Sequence, residues 1–76
     1  MVVTVIPGTD GTKVPRDFPT NVRIPAAESG LPGETVFLCF QARALDHSRF
    51  PRQAAGRLSA ARMRDVEKAI RYCLGL

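Results

Sequence analysis

The run Thr35-Val36-Phe37-Leu38-Cys39-Phe40 constrains the fold more than any other part of the chain. If extended, it sends Val36, Leu38 and Phe40 to one side and Phe37 and Cys39 to the other. Both sides are apolar, so both need cover, and such a strand belongs at the centre of a sheet rather than at its edge. The strand is expected to continue to Leu45. Its second half brings Gln41 and Arg43 out together on one face, so core gives way to a polar surface within a few residues.

Shorter elements surround it. Val2–Ile6 is a β-branched run closed by Pro7-Gly8, which predicts a strand. Thr9–Phe18 is rich in Gly, Pro, Asp and Thr and predicts a loop. In Thr20–Ile24, Thr20, Val22 and Ile24 alternate with Asn21 and Arg23, the pattern of a half-buried strand. Pro25–Glu34, with Gly30, Pro32 and Gly33, predicts a second loop, Asp46–Arg49 a turn, and Pro51–Leu58 a short strand or extended segment. Ser59 then suits a helix N-cap. Met63, Val66, Ile70 and Cys73 follow at spacings of three and four, with Ala69 and Leu74 beside them, and Arg62, Arg64, Lys68 and Arg71 lie mostly off that stripe. Gly75 ends the helix. Short strands followed by one amphipathic helix imply a strongly bent antiparallel sheet or partial barrel with the helix packed against it.

One domain spans residues 1–76. A chain this short buries only about 60% of the surface it exposes when unfolded, and open sheet edges need cover, so association with a partner subunit is expected. The net charge of +4 comes from nine arginines and two lysines, with eight basic and three acidic residues between Arg43 and Arg71. Such a surface favours polyanions, and arginine offers a planar fork for phosphate; many small basic proteins nevertheless bind no nucleic acid. No apolar run approaches the roughly 20 residues of a membrane span, and no targeting core follows Met1. Cys39 and Cys73 make no disulfide framework, and the simplest expectation is a cytosolic protein with reduced thiols used as small core hydrophobes.

His47 is the only histidine, which excludes ribonuclease sites built on a pair of histidines within one chain. Zinc-ligand spacing and a P-loop are both missing, and the carboxylates are scattered, so no metal or cofactor is expected. Threonine, arginine, glutamine and asparagine remain. RNA brings its own nucleophile, the 2′-hydroxyl. Arginine can stabilise charge on phosphorus, and a threonine hydroxyl can donate or accept a hydrogen bond. Thr9 and Thr12 are equally suited to capping a loop, and Arg43 to the surface or to pairing with Asp46.

Taken in order, Pro7-Gly8-Thr9, Phe18-Pro19-Thr20-Asn21-Val22, Gly30-Leu31, Phe37–Asp46, Ser48-Arg49 and Gly56-Arg57-Leu58-Ser59 before the helix resemble the MazF/PemK toxins, ribonucleases that cut messenger RNA. The resemblance covers nearly all of the chain and corresponds to the last two-thirds or so of a family domain. It implies an SH3-like small barrel (CcdB/PemK-like) with a C-terminal helix, N-terminally incomplete, acting as a homodimer. It implies metal-independent cleavage of single-stranded RNA by 2′-hydroxyl attack, and a cognate antitoxin that blocks the RNA groove with an acidic tail. Thr9 falls at the family's catalytic threonine. Asn21, Thr20, Gln41, Arg43 and Lys13 become candidate RNA contacts. The family's opening strands, and the catalytic arginine they carry, have no counterpart here. The alternative is therefore a catalytically inactive truncated homologue that keeps dimerisation and antitoxin or RNA binding. A gyrase-directed toxin fits the Gln-x-Arg-x-x-Asp segment less well.

Overall fold

The computed structural model describes residues 2–51 and 53–76. In chain order the regular elements are β1 (Val2–Val5), β2 (Gly8–Asp10), β3 (Asn21–Ile24), α1 (Ala26–Ser29), β4 (Thr35–Leu38), β5 (Arg43–Asp46) and α2 (Ala60–Leu74). Strands β2, β4 and β3 form a three-stranded antiparallel sheet in that order, and β1 pairs antiparallel with β5 in a second sheet.

The expected strand from Thr35 to Leu45 is in fact two strands. A 3-10 turn at Cys39–Gln41 separates them, so β4 serves the larger sheet and β5 the smaller. Pro7 makes the equivalent break between β1 and β2, where a residue without an N–H interrupts the ladder at little cost. The Leu38 amide donates to the Pro7 carbonyl at 2.9 Å, tying the two corners together. Both chain segments therefore turn from one sheet into the other at the same level, giving the bent, open barrel expected. The alternation holds as far as the corner: Phe37 and Cys39 face the core, and Leu38 and Phe40 lie on the opposite side, where Phe40 is exposed.

The core lies between the larger sheet and α2. Val22, Ile24 and Cys39 meet Val66 and Ala69, with Ile6, Phe37, Leu58, Ile70 and Cys73 packed around them. Ser59 caps α2 as expected, its Oγ accepting from the Arg62 amide at 3.2 Å, and Gly75 ends it at φ 73°. Met63, expected on the buried stripe, is exposed. A 15-residue helix runs about 22 Å, whereas the four-residue β3 beneath it spans about 13 Å.

Two loop assignments change. Thr9 lies inside β2 rather than at the start of a loop. The expected loop at Pro25–Glu34 contains α1, stopped by Gly30 at φ 78°. Among the described residues of Pro51–Leu58 there is no strand; Arg52 lies outside the described residues. Arg62 joins α2 to α1 through a two-pronged pair with Glu28, at 2.8 and 2.9 Å.

Candidate functional site

The two faces of the larger sheet have different jobs, and the register assigns them. Residues directly opposite in an antiparallel pair share a face. Gly8, Phe37 and Val22 form one row and Asp10, Thr35 and Ile24 another; Phe37, Val22 and Ile24 turn these rows toward α2. Thr9, Val36 and Arg23 form a row on the opposite, outer face, followed by Leu38 and Asn21. Two candidates far apart in sequence, Thr9 and Asn21, thus share one surface. Thr9 and Arg23 flank Val36 at about two strand spacings, roughly 10 Å.

The chain turns sharply just after Thr9. The Asp10 carboxylate accepts from the Thr12 amide at 2.8 Å and from the Thr12 hydroxyl at 2.7 Å, closing the 3-10 turn Gly11–Lys13. Those two bonds hold the Asp10 carboxyl below its ordinary value, the hydroxyl contributing most. Asp10 is therefore the cap of this turn, and the Thr12 hydroxyl is spent on closing it. Lys13, exposed at the end of the turn, forms no salt bridge among the described residues.

Beside this turn the outer face carries a hollow of about 410 Å³ lined by Val14, Phe18, Thr20, Asn21, Leu38 and Phe40. Phe18 and Phe40 are 51% and 54% exposed, large values for phenylalanine, and they flank polar groups from Thr20 and Asn21. The Thr20 hydroxyl donates to the Asn21 side-chain oxygen at 3.2 Å, which leaves the Asn21 amide nitrogen available as a donor. Sequence reasoning did not find the aromatic pair. Phe18 sits in a loop and Phe40 at a corner, and no sequence period joins them.

Gln41 and Arg43 stand apart from this hollow. Gln41 closes the corner turn, and Arg43 opens β5 opposite Val5 in the smaller sheet; both are exposed. The corner that splits the predicted strand takes them out of the larger sheet altogether. Arg23 is on that face, but its guanidinium is engaged: Nε donates to Asp17 at 2.9 Å and Nη1 to Glu34 at 2.7 Å, with further bonds to the Gly11 and Val14 carbonyls. The Glu34 and Asp17 bonds, in that order, raise its pKa further.

Burial raises the pKa of the Cys39 thiol, with a smaller contribution from Cys73, and both cysteines are free. Among the described residues no group of three or more His, Cys, Asp or Glu could hold a metal ion, and no helix is long and apolar enough to cross a membrane.

No curated protein sequence matches this chain. Among solved structures, the crystal structure of an Mtb toxin superposes with a TM-score of 0.79 at 28% sequence identity; the match covers 95% of this chain and 74% of that one. The bent two-sheet architecture with its C-terminal helix is thus a toxin architecture. Residues 1–74 match the family described as PemK-like, MazF-like toxin of type II toxin–antitoxin system, and the chain belongs to that family, which implies an antitoxin partner.

Proposed function

We propose that this chain is the toxin of a type II pair and cleaves single-stranded messenger RNA. The observation that carries this reading is the outer face of the larger sheet, where Thr9 and the Asp10–Lys13 turn adjoin a hollow walled by Phe18 and Phe40. Exposed aromatic rings stack on unpaired bases of any sequence, and Asn21 can bond a base edge beside them. Lys13 in the turn, and Gln41 and Arg43 beyond the corner, would contact the strand as it leaves the hollow.

The chemistry needs no protein nucleophile. The 2′-oxygen attacks the adjacent phosphorus, the new O–P bond forms as the bond to the 5′-oxygen breaks, and a proton moves from the first oxygen to the second. The Thr9 hydroxyl can donate to the phosphate or relay that proton, and no metal takes part in this reading. The products carry a 2′,3′-cyclic phosphate and a 5′-hydroxyl. Homodimerisation would cover Tyr72, Leu74 and Leu76, which are 61%, 68% and 82% exposed at the end of α2. An antitoxin with an acidic tail would complement the positive surface.

A second reading has its own observation. Arg23, the arginine in register with Thr9 across β4, is committed to two carboxylates and is not free to face a phosphate. On that reading the chain keeps RNA and antitoxin binding but does not cut. Incubating the purified chain with single-stranded RNA in chelator separates the two. Cleavage with cyclic-phosphate ends, abolished by Thr9→Ala, supports the first. Salt-sensitive binding without cleavage supports the second. Cutting that persists in Thr9→Ala removes Thr9 from the chemistry.

A further inference from the structure

We propose that Arg23 is a positioning residue, a clasp that crosses the outer sheet face and fixes the loop presenting Lys13 and Arg16 beside Thr9. This rests on the reading of that face as the RNA surface. The geometry is specific. Arg23 starts from β3, an edge of the larger sheet, yet its guanidinium reaches the Gly11 carbonyl, which follows β2 at the other edge. To do so it passes over β4. Val36 lies directly beneath that path and is only 1% exposed although it faces away from the helix, as expected if the arginine stem covers it.

The head group spreads its donors over four acceptors in two segments: Asp17 Oδ1 and the Gly11 and Val14 carbonyls on the loop after β2, and Glu34 Oε1 just before β4. A planar fork can hold such a set at once, and a lysine ammonium on a flexible stem cannot. Gly11 shows how closely the clasp is fitted. It is buried, its amide donates to the Glu34 carbonyl at 2.9 Å, and a Cβ there would meet Glu34 Oε1 at 2.4 Å. A methyl group at residue 11 would thus push Glu34 off Arg23.

Charge assigns the clasp its role. Arg23 with Asp17 and Glu34 carries a net charge of −1, which does not attract phosphate. Lys13 and Arg16, on the loop it holds, are exposed and form no salt bridge among the described residues. Arg23 therefore acts through them.

The test measures affinity of the full chain for a fluorescent 2′-O-methyl single strand, which cannot be cut, across a salt series, with amide exchange on the same proteins. Arg23→Gln is expected to lower the salt slope by about 1.4, the loss of two phosphate contacts at about 0.7 each on a single strand. Arg23→Lys is expected not to restore it, and Gly11→Ala to reproduce it with Arg23 still present. Lys13→Ala/Arg16→Ala should lose the same slope, and adding Arg23→Gln to that pair should lose no more. Exchange should quicken at the Gly11 and Val14 amides and stay unchanged in α2. A slope unchanged in Arg23→Gln, full rescue by lysine, or an additive further loss in the triple variant would overturn the proposal. If the unmodified chain bound no strand, the RNA reading would fall on its own; unchanged exchange at Gly11 and Val14 would overturn the clasp itself.

Discussion

Replacing Ile24 with alanine tests whether the face of β3 turned toward α2 is the core. Ile24 is 0% exposed and packs within the cluster that joins β3 to Val66 and Ala69 of the helix. The substitution removes three carbons, about 2.4 kcal/mol at roughly 0.8 kcal/mol per buried methylene, before any cavity is counted. The remaining cavity brings the expected loss to about 3–4 kcal/mol, inside the usual 2–5 kcal/mol for such truncations. A chain of this length is stable by only roughly 4–11 kcal/mol at 0.05–0.15 kcal/mol per residue. Urea unfolding followed by circular dichroism reads the difference directly. With a slope near 1 kcal/mol per molar, the midpoint should fall by about 3 M, or the variant should be unfolded without urea. Val2→Ala is the control: Val2 is 66% exposed at the start of β1 and should shift the midpoint by no more than about 0.5 M. If Ile24→Ala moved the midpoint no further than Val2→Ala, the packing of α2 against β3 would not be what holds the fold.

Other outcomes follow from local geometry. Gly30→Ala should cost about 1–2 kcal/mol from the left-handed backbone alone, and more because its Cβ would meet the Ala55 carbonyl at 2.5 Å; a thermal melt measures it. Ser59→Ala removes the α2 cap and should cost about 1 kcal/mol in the same assay. Acid should destabilise the chain. Folded Glu28 is held below its ordinary 4.5 by the hydrogen bond from Arg62, and folded Asp10 and Asp46 below 3.8 by bonds from Thr12 and Ser48. A depressed carboxylate contributes stability that is present above its unfolded pKa and lost as pH falls through its folded pKa. The urea midpoint should therefore drop on acidification through that range, and Glu28→Gln should shallow the drop; a midpoint independent of pH there would contradict the pairings.

The sequence made the elements legible where one local cause was enough. Ser59 and Gly75 bound α2 because capping chemistry is local, and Val2–Ile6 and Thr20–Ile24 are strands because β-branched alternation is local too. It failed at Cys39–Gln41. Nothing local distinguishes a strand that continues from one that turns a corner; the corner is set by the Leu38–Pro7 bond, a contact across 31 positions. That single break changed two expectations. Gln41 and Arg43 left the sheet that β4 serves, and Phe40, expected under cover, became an exposed wall of the hollow. Arg23 was hidden for a related reason. The alternation put it on the solvent side of β3, where an arginine needs no explanation. Only the register, which places Gly11 and Glu34 within its reach, turns it from a surface charge into a fixed part of the site.

The charge pattern links that correction to function. Arg23 and Arg62 together take up four of the seven carboxylates, Asp17, Glu34, Glu28 and Asp65, and each arginine with its two partners is net negative. The chain's net +4 is therefore the sum of two local clusters of −1 and a remainder of +6, nine cations against three carboxylates. Positive potential is thus concentrated away from the two clasps, on cations carried by loops, corners and the exposed side of α2. Among the described residues, Arg23 and Arg62 are paired with acids, and the remaining arginines form no salt bridge. A phosphate strand crossing the outer face would be repelled at Arg23 and drawn to the loop that Arg23 holds, so the acidic pair steers the strand toward Lys13 and Thr9 rather than toward the nearest arginine in register.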